Sequence, residues 1–192
     1  MRVNFFNGEK DSLKVIYRVL FVILAVCLLA FFLMLSINFM ERKRYPIKYE
    51  ELVEKFAFVY QLDKNMVYAV IKIESNFNER AESKKGAKGL MQIMDSTAEY
   101  IAKEKGIVGY DIFDAKTNIE FGCYYLRYLL DKFSAEETAI IAYNAGEGKV
   151  RAWLKNSQYS DDGMTLKTIP FKETGEYIKK FQKSYLKYQN LY

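Results

Sequence analysis

The sequence predicts an all-α protein: a helical domain preceded by one N-terminal transmembrane helix. Strand signals are scarce in its 192 residues, with no sustained alternation, no Asn-Gly hairpin and only two prolines. Apolar residues recur instead at spacings of three and four, bounded by side chains that cap helices. Finally, residues 19–40 read VLFVILAVCLLAFFLMLSINFM and carry no charge. At a rise of about 1.5 Å per residue, such a run is long enough to cross a hydrocarbon core of roughly 30 Å.

The apolar run is longer than the core of a secretory leader, lacks a small-residue cleavage pattern, and ends in Glu41-Arg42-Lys43-Arg44. An uncleaved anchor is therefore expected. Leu24-Ala25-Val26-Cys27 faintly resembles a lipoprotein cleavage site, but Val26 does not fit it and the apolar run continues past the cysteine. Arg2, Lys10, Lys14 and Arg18 precede the span while Arg42, Lys43, Arg44 and Lys48 follow it, so the positive-inside rule does not orient it. The expected organisation is a short N-terminal segment (1–18), the span (19–40), a linker (41–48) and one domain (49–192), a suitable length for a single core.

Within that domain, Leu52, Val53, Phe56 and Val59 mark a helix over Tyr49–Tyr60. Asp63 can cap a helix running through Glu74, and Asp95 one over Ser96–Lys105. Thr117 or Asn118 can start a helix to Phe133. Ser134-Ala135-Glu136-Glu137 has the form of a capping box opening a helix toward Tyr143. Gly146 and Gly148 punctuate before Lys149–Leu154, and Thr174–Tyr188 is a last amphipathic helix.

Composition excludes much chemistry. With no histidine, Ser-His-Asp and Cys-His nucleophile systems have no base, and zinc hydrolases lose their usual ligand. No metal or cofactor is expected. Cys27 lies in the apolar run and Cys123 far downstream, so Cys123 reads as a buried free thiol. The net charge of +5 is spread along the chain, with no basic-aromatic motif of a nucleic-acid reader.

Carboxylates remain, and one is unusually placed. In Met66-Val67-Tyr68-Ala69-Val70-Ile71-Lys72-Ile73-Glu74, the helical wheel puts Met66, Val67, Val70, Ile71 and Ile73 on one arc and Tyr68 and Lys72 opposite. Glu74 projects into the apolar arc at the negative end of the helix dipole. Both circumstances raise a carboxyl pKa, as a general acid requires. Taken alone, the feature also fits a helix-end residue with its head in water.

Further on, Gly86-Ala87-Lys88-Gly89-Leu90-Met91-Gln92-Ile93-Met94 sets two glycines before an apolar run containing one amide. The glycines permit a tight turn or close approach to a ligand. Gln92 is suited to orienting a sugar amide or hydroxyl, and Met91 and Met94 can serve as core filler. Ala142-Tyr143-Asn144-Ala145-Gly146 ends a helix with a polar pair and a glycine.

Together with Glu74-Ser75-Asn76-Phe77-Asn78 and Ile169-Pro170-Phe171-Lys172-Glu173-Thr174, these segments resemble the ordered motifs of the soluble-lytic-transglycosylase type catalytic domain over roughly Tyr49–Tyr188. The resemblance implies a lysozyme-like helical catalytic domain. It also implies cleavage of the β-1,4 bond between N-acetylmuramic acid and N-acetylglucosamine, leaving a 1,6-anhydromuramic end. It assigns Glu74 as the single catalytic acid/base. Ser75, Ser83, Gln92, Met94, Tyr143, Asn144 and Glu173 match substrate-site positions. Asp95 stands where the family usually has proline; both residues suit a helix N-terminus.

The expected partners are peptidoglycan strands and, through residues 19–40, a lipid bilayer, with no nucleic acid. Because peptidoglycan lies outside the cytoplasmic membrane, residues 1–18 are expected on the cytoplasmic side of a single-pass protein and the domain outside. Two alternatives stay open: a goose-type muramidase, which shares the lone glutamate, and a non-catalytic glycan-binding protein on the same scaffold.

Overall fold

The computed structural model describes the chain from Val3 to Tyr192, with side chains from Lys14 onward. Among the described residues there is no strand, only isolated bridges pairing Lys88 with Glu82 and with Ile93. The helices are α1 (Val3–Arg44), α2 (Glu50–Val59), α3 (Lys64–Glu74), α4 (Asp95–Lys105), α5 (Ala115–Lys132), α6 (Glu136–Ala145), α7 (Glu147–Leu154) and α8 (Lys172–Leu191). The expected all-α class holds. The chain divides into two compact units, Met1–Pro46 and Ile47–Tyr192.

The first unit is built on α1, of which Lys14–Arg44 is long and apolar enough to cross a membrane. Its large apolar side chains are bare, Phe21 at 72% exposure for example. Contiguous apolar surface of this extent needs a non-aqueous neighbour. The polar Ser36 hydroxyl is satisfied within the helix, donating to the Phe32 carbonyl at 2.9 Å.

The second unit packs around α3. Asp63 caps it, accepting from the Asn65 backbone N–H at 2.8 Å. Met66, Val67, Tyr68, Ala69, Val70 and Ile71 are all buried, with α2 and α8 packed against it. Tyr68 therefore departs from the wheel, which set it opposite the apolar arc. It is 1% exposed and stacks on Tyr188 of α8 with ring centroids 5.4 Å apart. The buried surface of the helix thus extends through Tyr68, while Lys64 and Lys72 keep contact with solvent.

Two expected caps do not form. Asp95 is the first residue of α4, not its cap, and its carboxylate pairs with Lys88 Nζ at 2.8 Å. The Ser134–Glu137 capping box does not form: α6 begins at Glu136 after Ala135, without a side-chain cap. The fifth helix starts earlier than expected, with Asp114 as cap accepting from the Thr117 N–H at 2.9 Å.

Asn118, foreseen only as a helix starter, is fully buried and ties α5 to the segment before α4. Its Oδ1 accepts from the Met91 N–H at 2.7 Å, and its Nδ2 donates to the carbonyls of Lys88 (2.9 Å) and Ile112 (2.8 Å). A Cβ at Gly89, where φ is +76°, would collide with that amide, and one at Gly122 would collide with the Met91 side chain. Cys123 is a buried free thiol whose pKa burial pushes up.

Asn118→Ala should destabilise the domain by about 3 kcal/mol, since it removes three hydrogen bonds and leaves the Met91 N–H and the Ile112 carbonyl without a partner, while the Lys88 carbonyl keeps the Ile93 N–H. Urea unfolding of the two proteins measures this, and a difference near zero would remove Asn118 from its structural role.

Candidate active site

Glu74 is the last residue of α3. Directly after it the chain reverses through Asn76 (φ 51°) and Phe77 (φ 64°), both in the left-handed region. That conformation costs a non-glycine residue roughly 1 kcal/mol. Phe77 is held there by burial beside Tyr68. Strain of this kind concentrates at functional sites.

Glu74 forms part of the wall of a groove of about 550 Å³ that also takes in Ser83, Gln92, Met94, Tyr143, Asn144 and Glu173. The structure thus brings together all the expected site residues but Ser75. Ser75 Oγ donates to the Leu90 carbonyl at 2.8 Å and the Ile71 carbonyl at 3.3 Å. Its hydroxyl fastens the end of α3 to the Gly86–Met94 segment and is absent from the groove lining.

Burial raises the Glu74 pKa to about 7, against a partial lowering by a hydrogen bond from Tyr177. The Tyr177 hydroxyl donates to Glu74 Oε1 at 2.7 Å. Tyr143 donates to the Met91 carbonyl at 2.8 Å. Burial, and then the charge of Glu74, pushes both tyrosines well above the ordinary range, so they stay neutral donors. Tyr177 was missed at the sequence level because it lies 103 residues from Glu74. The only available signal was its position on the inner face of the last helix.

The other residues divide between holding the groove and facing it. Gln92, at φ 50°, donates through Nε2 to the carbonyls of Ala81 (3.1 Å) and Gly89 (3.0 Å). Its Oε1 is the end that can accept from a ligand. Ser83 Oγ accepts from the Ala87 N–H at 3.0 Å, closing a turn completed by Gly86 at φ 84°. Asn144 Oδ1 accepts from Thr174 Oγ1 at 3.0 Å, linking α6 to α8. Met94 is 40% exposed. Glu173 and Lys85 approach at 3.5 Å, both strongly exposed, and such a pair contributes about 0–1 kcal/mol. Lys84, Lys149 and Phe171 also line the groove.

The site can keep one carboxyl protonated near neutral pH and present it to a groove wide enough for sugars, with tyrosine donors beside it. Among the described residues no cluster of acidic or thiol side chains could hold a metal ion.

The raised pKa has a thermodynamic consequence. Ionising Glu74 is harder in the folded domain than in the unfolded chain, so its contribution to stability is fully present below about pH 4.5. It is lost as pH rises through about 7. The shift from 4.5 to about 7 corresponds to about 3 kcal/mol. Glu74→Gln should therefore gain on the wild type by about that amount across this window. Urea unfolding of both proteins from pH 4 to 8 measures it, and a constant gap between the two would contradict the enclosed carboxyl.

Comparison with known proteins identifies the family. The sequence pattern of the transglycosylase SLT domain matches residues 51–164. The soluble lytic murein transglycosylase of Escherichia coli K12 is 36% identical over 143 residues, covering 71% of this chain and 22% of that protein. The membrane-bound lytic murein transglycosylase C of Photorhabdus laumondii is 34% identical over 116 residues, covering 54% of this chain and 32% of that one. The crystal structure of an inactive Glu-to-Gln mutant of the lytic transglycosylase Slt of Pseudomonas aeruginosa superposes with a TM-score of 0.69 at 30% identity. It covers 78% of this chain and 25% of that one. The chain thus spans about a fifth of the length of the soluble relatives it matches. With the motif order, the all-helical fold and the enclosed glutamate on one groove, the chain belongs to the transglycosylase SLT domain family.

Proposed function

We propose that the protein is a peptidoglycan lytic transglycosylase in which Glu74 is the single acid and base. The observation that carries this is the enclosed Glu74 carboxyl, half protonated at about pH 7, on the groove of an SLT domain. Most glycosidases use two carboxylates, one of them for a nucleophile or to activate water. Here the second acidic lining residue, Glu173, is exposed and beside Lys85. One carboxyl suffices if the nucleophile belongs to the substrate.

The protonated Glu74 donates to the glycosidic oxygen, and the N-acetylglucosamine side leaves as an alcohol while positive charge develops at the muramic anomeric carbon. The muramic N-acetyl group stabilises that carbon. The Glu74 carboxylate then takes the proton of the C6 hydroxyl, whose oxygen closes onto the anomeric carbon. No water is consumed, and Glu74 ends protonated for the next turnover. A nucleophile on the same ring has a large effective concentration, so the protein need only hold the ring. Tyr177 steadies the carboxylate while it waits, and Gln92 Oε1 and Met94 face the sugars.

The chain is further proposed to be anchored through residues 19–40, with residues 1–18 cytoplasmic, 41–48 as linker and 49–192 as catalytic domain outside the membrane. Support comes from the bare apolar surface of α1 and from relatives named membrane-bound.

Glu74→Gln should remove wall cleavage, a loss of at least about 1000-fold, with the fold intact by circular dichroism. Mass spectrometry of wild-type products should show ends lighter by one water than hydrolysis gives; hydrated ends would establish a muramidase instead. Tyr177→Phe removes the hydrogen bond that lowers the Glu74 pKa. The alkaline limb of the pH profile should then move upward from about 7, and a downward move would overturn the assigned direction.

A further inference from the structure

A second hollow, of about 210 Å³, shares Gln92, Met94, Tyr143 and Asn144 with the groove at Glu74, so the two are continuous. Its remaining lining includes Thr97 of α4 and Tyr125 of α5. Three residues on from each stand Tyr100 and Tyr128, a spacing that puts each pair on one helix face.

The rings follow one another outward from the groove. Tyr143 to Tyr125 is 5.6 Å between centroids, Tyr125 to Tyr128 is 6.1 Å and nearly parallel at 12°, and Tyr128 to Tyr100 is 6.0 Å. Tyr125 and Tyr128 are half-buried, and Tyr100 at the far end is 41% exposed. Polar groups border the row: the Tyr128 hydroxyl donates to Glu147 Oε2 at 3.0 Å, and Arg151 Nε donates to Glu147 Oε1 at 2.8 Å.

Packing between α4 and α5 calls for apolar rings and not for hydroxyls at the rim. Aromatic faces beside fixed donors and acceptors are what a pyranose matches, since it has an apolar C–H face and a polar edge. We infer that the row Tyr143–Tyr125–Tyr128–Tyr100 is the distal part of the saccharide-binding surface, holding sugar rings of the strand remote from the bond at Glu74. This rests on the function proposed above. A strand long enough to reach Tyr100 gains contacts that a short fragment lacks, so the enzyme favours long strands.

The test compares peptide-free glycan strands of high length with the shortest fragment the wild type cleaves, using the full-length protein in detergent. Tyr100→Ala with Tyr128→Ala should lower kcat/KM on long strands about tenfold, the size of one lost aromatic contact. On the shortest fragment it should stay within about twofold. Tyr100→Leu, at an exposed position that does not endanger folding, should show the same selective loss in smaller measure. Tyr100→Phe, which keeps the ring face and loses only the rim hydroxyl, should fall between the wild type and Tyr100→Leu on long strands. Equal losses on both substrates, or none on long strands, would overturn the inference and leave the proposed function standing. A wild type that cleaves neither substrate would overturn both.

Discussion

Burying the middle of α3 while ending it on a carboxyl sets the terms for the rest of the domain. Six consecutive residues of that helix are buried, so Glu74 leaves the core at a point fixed by packing on α2 and α8. Moving Glu74 would require repacking residues that each contribute roughly 1.5–3 kcal/mol by burial. The acid is thereby held rigid by apolar contacts instead of by polar ones. Burial then raises its pKa, and Tyr177 supplies one hydrogen bond that keeps the ionised form tolerable. More donors would pull the carboxyl back toward an ordinary value, and none would leave its charge unsupported.

The opposite wall is made of irregular backbone, which packs less readily. There Asn118 supplies what helix geometry cannot: one buried amide meets three backbone groups of the segments that precede α4 and α5. Ser75 joins the two walls by donating to Leu90, one residue before Met91, whose N–H Asn118 holds. Met91 in turn fills the space over Gly122 and offers its carbonyl to Tyr143. The groove is therefore shaped by a short series of hydrogen bonds running from α5 through the Gly86–Met94 segment to the end of α3.

What could be read from the sequence followed the range of each interaction. Asp63 and its helix were legible because cap and apolar period are local. Tyr68 was misplaced for the same reason: a wheel assigns faces from local spacing, and only the packing of α8 shows that Tyr68 belongs to the core. At Asp95 the carboxylate expected as a cap pairs with the Lys88 side chain instead, and at Ser134 the helix begins at Glu136 with no side-chain cap. Glu74 was legible as a candidate from its apolar neighbours, and its groove companions from motif order. Tyr177 and the Asn118 hub were not, because each acts across a separation that no periodicity records.

Tethering and a long binding surface answer different needs. Under the proposed anchoring, a domain held at the membrane by a spacer of a few residues would meet nearby strands at high local concentration, so tight binding would add little to encounter. Binding free energy along the tyrosine row can then act mainly in positioning. On the proposed mechanism, sugars held away from Glu74 would restrain the muramic ring at that carboxyl, and reaction would be fastest when the C6 oxygen already lies close to the anomeric carbon. An intramolecular nucleophile makes this use of binding effective, because correct ring placement fixes the attacking oxygen as well.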